Sequence, residues 1–125
     1  MKEPFVGLIV QLRLGPEFGP DGGMGDRDGL IDALAGLLGE WPSTDSGSRS
    51  TNIKCWDIVP GRWKEALRFA IGEVEARGLS NRVLIARVDY LAADEGEDYE
   101  WGPERVVWPE DKAGPFSMWP EWPGF

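Results

Sequence analysis

Five carboxylates stand within seven residues in the stretch DEGEDYE: Asp94, Glu95, Glu97, Asp98 and Glu100. Carboxylate oxygens are hard ligands, so such a run has the chemistry to hold Ca²⁺ or Mg²⁺. It has equally the chemistry to meet the Lys and Arg side chains of a basic partner. The spacing does not follow the EF-hand loop, so we assign no metal and read the run as an acidic turn and candidate binding patch. Asp26 and Asp28 before Gly29 repeat part of the calcium-loop pattern and lack the rest.

Other reactive chemistry is scarce. The sequence contains no histidine, which removes the commonest general acid/base, triad member and zinc ligand. Serine and cysteine hydrolases of the usual kind are therefore not expected. Among 22 acidic residues, two carboxylates near each other carry no signal for a catalytic pair. Cys55 is the single cysteine, so neither an intramolecular disulfide nor a thiolate metal cluster is available. It stands in an apolar stretch with no bases placed to activate it, as a small core residue does. Gly23, Gly25 and Gly29 form a Gly-rich string between a strand and a helix, the setting of phosphate-binding turns. Asp21, Asp26 and Asp28 would repel the anion, and the string reads better as a connecting loop with a helix cap. No catalytic residue and no cofactor are assigned. The balance points away from an enzyme, with a carboxylate- and metal-dependent one kept as an alternative.

Charge is unevenly spread. The net charge of −9 is almost entirely local: residues 1–88 hold 12 acids and 11 bases, whereas residues 89–111 hold nine acids and Arg105. An acidic patch repels phosphate, which argues against nucleic acid or an anionic membrane as partner. A basic protein, or a second copy of the chain, is the expected partner.

The aromatics are unusual in kind. Four of seven tryptophans, Trp41, Trp108, Trp119 and Trp122, stand directly before proline. A residue before proline is driven to extended or polyproline II backbone. In that geometry Trp119 and Trp122 share an edge about 9 Å apart. With Trp108 they make a candidate aromatic binding edge. The segment FSMWPEWPGF, residues 116–125, is then a strap, expected to dock on the protein's own sheet in preference to a partner or second copy.

The elements that must position these groups follow from periodicity. Residues 4–14, PFVGLIVQLRL, alternate Val6, Leu8, Val10, Leu12 and Leu14 against Phe5, Gly7, Ile9, Gln11 and Arg13, which is a strand. After a Gly/Pro/Asp-rich loop, Asp26 or Asp28 caps a helix carrying Leu30, Ile31, Leu34, Leu37 and Leu38 on one face, stopped by Gly39. Residues 41–50 are turn-rich, with at most a short edge strand near Glu40 and Trp41. TNIKCWDIV is a strand with Ile53, Cys55 and Val59 on one face and Trp56 and Ile58 on the other. Pro60 opens a second helix with a stripe of Trp63, Leu67, Ala70, Ile71 and Val74. VLIARVDYL, residues 83–91, is a strand with Leu84, Ala86, Val88 and Tyr90 on its core face. A short strand at Arg105, Val106, Val107 and Trp108 follows the acidic run.

This order predicts one α+β domain over residues 1–125: a core at 5–91, an acidic loop and short strand at 92–111, and the aromatic strap at 112–125. The layout is the split βαβ, ferredoxin-like plan, an antiparallel sheet with two helices on one face. Phe5, Ile9, Val83 and Ile85, with Trp56, would leave the other face too apolar to stand in water, so the strap is expected to cover it. The apolar run FVGLIV is too short for a membrane span and has no cleavage pattern behind it. A cytoplasmic protein is expected.

FGPDGGMGDRDGLIDALAGLLGE, GSRSTNIKCWDI and VLIARVD together resemble a group of small uncharacterised bacterial proteins. The resemblance covers about residues 5–90 and implies the same α+β plan. It implies no site residue. The expected function is a non-enzymatic protein-binding module of antitoxin or immunity type. The alternative is a small-ligand or regulatory domain with an aromatic-lined pocket.

Overall fold

The computed structural model describes residues 2–47 and 49–118. It is an α+β structure, with seven antiparallel strands and two α-helices among the described residues. β1 (Glu3–Arg13) leads through a glycine-rich loop to α1 (Met24–Leu38), then β2 (Ser43–Ser46) and β3 (Ser50–Ile58). α2 (Trp63–Ala76) precedes β4 (Val83–Ala92), and three short strands follow, β5 (Glu100–Trp101), β6 (Arg105–Trp108) and β7 (Gly114–Pro115). The sheet order is β2-β3-β1-β4-β6-β7, with β5 paired to β4.

β1 lies at the centre, and every residue from 6 to 12 is buried. A strand covered on both faces reads as a near-continuous apolar run, which is why FVGLIV looks unalternated despite its period-two pleat. Val6, Leu8, Val10 and Leu12 share one core with Leu30 and Leu34 of α1 and Ala66, Ala70 and Val74 of α2. Both helices thus pack on the same side of the sheet. Gly39, at φ 76°, ends α1 with its N–H on the Ala35 carbonyl. Gly78, at φ 70°, ends α2, where Leu79 N–H reaches back to the Val74 carbonyl. These are left-handed stops that glycine adopts without steric cost.

Three sequence expectations change here. Val83 pairs with Leu12 and Ile85 with Val10, so Val83 and Ile85 face the helices, and Leu84, Ala86, Val88 and Tyr90 face the other side. The register between β1 and β4 decides this, and a shift of one residue reverses every side chain. In β3 a bulge opposite Gly7 adds a residue: Leu8 pairs with Cys55, yet Val6 pairs with Ile58. Asp57, at φ 61°, absorbs the extra residue in a backbone region Asp tolerates better than most side chains. Ile58 is consequently buried in the helix-side core and Val59 is exposed, the reverse of strict alternation. The edge strand, finally, is Ser43–Ser46, beyond Trp41, with all four side chains exposed. It carries no apolar face because it pairs only at the rim of the sheet, where Lys54 and Asp45 join across it as an ion pair.

The face away from the helices is closed partly by polar contacts. Phe116 N–H meets the Glu104 carbonyl at 3.4 Å, and the chain then crosses to the centre of the sheet. There Gln11 Nε2 donates to the Ser117 and Met118 carbonyls at 2.9 and 3.1 Å, and Asn52 Nδ2 donates to Met118 at 3.0 Å. The grip is on main-chain oxygens. Gln11 and Asn52 are fully buried and also bonded to each other through Gln11 Nε2, while Gln11 Oε1 has no partner among the described residues.

Candidate interaction face

The acidic run forms the turn between β4 and β5. Glu97 N–H closes on the Asp94 carbonyl at 3.0 Å, with Gly96 at φ 88°. Asp94, Glu95, Glu97, Asp98 and Glu100 are all exposed. Glu100 pairs with Lys2 at 3.0 Å. Among the described residues, no ion pair uses Glu95, Glu97 or Asp98, and no three His, Cys, Asp or Glu side chains converge as a metal cage.

β5 returns directly against β4, placing Trp101 opposite Tyr90. Their rings stack at a centroid distance of 4.6 Å. Tyr99 completes a near-parallel group, 6.1 Å from Tyr90 and 5.7 Å from Trp101. Trp56 meets both Tyr90 and Trp101 edge-on at 5.8 and 5.4 Å, and Phe5 lies 6.1 Å from Tyr90. Offset stacks and edge-on contacts of this kind are the favoured arrangements of aromatic quadrupoles. Gly7 makes room for the group: a Cβ there would lie 2.8 Å from both the Trp56 ring and Val88 Cγ1.

The polar tips of Tyr90 and Trp56 are satisfied from within. Tyr90 OH donates to Asp57 Oδ1 and accepts from the Asp57 backbone N–H, both at 2.6 Å. Burial, reinforced by the Asp57 carboxylate, pushes the Tyr90 phenol well above its ordinary pKa. The left-handed turn at Asp57 is what turns this N–H and this side chain toward one hydroxyl. Trp56 Nε1 donates to Ser43 Oγ at 3.0 Å. Outermost in the cluster, Trp101 is 56% and Tyr99 44% exposed, against 4% for Tyr90.

A groove of about 310 Å³ near the sheet end is lined by Phe5, Pro60, Asp89, Tyr90, Glu100 and Trp101 among others; the Asp89 and Glu100 side chains alternate with those of Tyr90 and Trp101 and so project to the helix side. Asp89 is held by Arg87, which donates to both its oxygens at 3.1 and 2.8 Å, and faces Arg105 at 3.7 Å. The Arg87 hydrogen bonds hold the Asp89 carboxyl below its ordinary pKa.

The other residues singled out by the sequence fall elsewhere. Trp108 lies on β6 opposite Ile85 and packs half-buried against the helix-side core, apart from the aromatic cluster. Trp119 and Trp122 lie outside the described residues. Cys55 is buried, and desolvation pushes its thiol up to about 12, far from a reactive thiolate. At the start of α1 the N-cap position is Gly23, and the carboxylate that reaches the free N–H groups is Asp21, in place of the expected Asp26 or Asp28. Its two oxygens accept from Gly23 N–H at 3.0 Å and Gly25 N–H at 2.9 Å. Those backbone bonds lower its pKa. The chain turns through Gly22 and Gly23 at positive φ, which carries Asp21 back over the first turn. The glycine string therefore already holds an anion of its own. Asp26 instead pairs with Arg82 at 2.9 Å, whose guanidinium lies 3.7 Å over the Phe18 ring.

A small cavity of about 120 Å³ sits between the end of α1 and the β3 bulge, lined by Leu38, Asp57, Ile58 and Arg62 among others. Pockets for drug-sized molecules are usually about 300–1,000 Å³, so this one is small for an organic ligand.

The aromatic group is the part of the site that the sequence pattern does not reveal. Tyr99 and Trp101 alternate across the end of the acidic run, and that period-two pair is the available signal. Placing Tyr90 on the core face of its strand hides the cluster. No protein-family model, curated protein or solved structure matches the chain, so the reading of the site rests on its own geometry.

Proposed function

We propose that this chain is a non-enzymatic protein-binding module that engages a basic partner through the β4–β5 hairpin. The observation that carries the reading is the coincidence, on one hairpin, of exposed carboxylates with exposed aromatic rings. Interfaces are enriched in aromatic side chains, which bury large areas at low entropic cost. Complementary charge adds orientation and rate of encounter. Small acidic proteins of the immunity or antitoxin type share this character, an analogy of kind and not of sequence. The lack of histidine supports a role without acid/base chemistry. Repulsion from phosphate favours a protein over nucleic acid or an anionic membrane.

The architecture belongs to the same proposal. An order of β2-β3-β1-β4, with helices following β1 and β3, supports the ferredoxin-like, split βαβ plan. On that plan β5–β7 are additions at one edge. The carbonyl contacts of Ser117 and Met118 support a C-terminal strap lying on the sheet in cis.

The test is affinity capture with the immobilised chain at low salt, followed by the Glu97→Lys, Asp98→Lys double variant. A basic protein retained by the native chain, and released by salt or by the charge reversal, supports the module. Retention indifferent to both, or no retention, sinks it.

A further inference from the structure

We propose that the exposed rings of Tyr99 and Trp101 receive an arginine side chain of the partner, by cation–π stacking backed by the carboxylates of the same hairpin. This rests on the binding-module reading and specifies its central contact.

Two observations converge on it. Trp101 and Tyr99 are among the largest apolar surfaces left in water, although both stack on a buried ring. Tyr90 and Trp56 spend their polar tips on Asp57 and Ser43. A ring face is negative and attracts a cation. Glu95, Glu97 and Asp98 stand on the same hairpin, exposed. None of these three is used by an ion pair among the described residues.

The protein already uses the same recognition on itself. The Arg87 guanidinium forks onto both oxygens of Asp89 while lying 4.8 Å over the Trp63 ring. Arg82 pairs with Asp26 while lying 3.7 Å over Phe18. The β4–β5 hairpin carries the same parts, exposed rings with exposed carboxylates next to them in sequence, without an arginine of its own stacked on those rings among the described residues. Arginine suits the site better than lysine. Its guanidinium is planar, weakly hydrated, and can stack and fork at once, whereas an ammonium is a compact, strongly hydrated charge.

The experiment titrates the full chain with hexa-arginine and hexa-lysine peptides at low salt, by calorimetry and by shifts of the indole N–H signals. Trp101→Leu keeps an apolar cover over Tyr90 and removes the ring; Tyr99→Leu is the second variant should the first fail to fold. We expect tighter binding of hexa-arginine than of hexa-lysine, and a perturbed Trp101 indole. Removing the ring should lower hexa-arginine affinity about fivefold or more and hexa-lysine affinity less. The Glu97→Lys, Asp98→Lys variant should weaken both peptides together. Equal affinity for the two peptides, sensitive to charge reversal but indifferent to Trp101→Leu, overturns the arginine site and leaves the acidic module standing. No binding of either peptide overturns both.

Discussion

The two faces of the sheet are built on different principles. The helix side is closed by aliphatic side chains: Val6, Leu8, Val10 and Leu12 meet Leu30, Leu34, Ala70 and Val74 in one continuous core. The opposite side is closed by aromatic rings at one end and by the Gln11 and Asn52 amides at the other. The first is non-directional and interdigitated, so it holds the fold without exposing chemistry. The second depends on ring orientation and on directional hydrogen bonds of two amides, and it leaves Trp101 and Tyr99 open to solvent. A surface with directional contacts and exposed rings is suited to recognition, whereas the aliphatic face is suited to stability.

Substitutions can break that contrast in order of effect. Leu34→Ala, in the aliphatic core, should cost about 2–5 kcal/mol, because it removes buried methyl groups and leaves a cavity. Urea unfolding would measure it, and a loss under about 1 kcal/mol, well below the usual cost of such a truncation, would mean that the helix side is not the main source of stability. Gly7→Ala tests the aromatic face. The added methyl group meets Trp56 and Val88 at 2.8 Å and should cost about 1–3 kcal/mol by overpacking, with a change in near-ultraviolet dichroism as the rings shift. Unchanged dichroism and stability would show the cluster to be loosely packed. Tyr90→Phe is the mildest. It keeps the ring and removes the hydroxyl shared with Asp57, for a loss of about 0.5–1.5 kcal/mol. No measurable loss would show that the Asp57 turn holds itself without the hydroxyl.

Much of the framework is legible in the sequence. The helix at 24–38 and its Gly39 stop, the helix after Pro60, and the strands at residues 4–14 and 83–91 all follow from local periodicity and punctuation. What is not legible shares one cause. The faces of β4 depend on its register with β1, some 75 residues away in sequence, and no local pattern in VLIARVDYL distinguishes its two apolar sides. The bulge at Trp56 and Asp57 is likewise set by pairing, so Ile58 and Val59 exchange roles without a sequence mark. Asp21 takes the role expected of Asp26 or Asp28 because the backbone path through Gly22 and Gly23, and not proximity to the helix, decides which carboxylate reaches the free N–H groups. Phe5, Trp56, Tyr90, Tyr99 and Trp101 come from four strands or their flanks, and only the sheet brings them together.

Composition and local pattern were enough to establish the class of the fold, the concentration of negative charge after residue 88, and the exclusion of histidine chemistry. These depend on residue content and on contacts a few residues apart, which a chain carries wherever it folds. Which aromatic residues meet was decided by tertiary pairing. That outcome belongs to strand register, a long-range property in which a shift of one residue would turn Tyr90 toward the helices and away from the rings it stacks with.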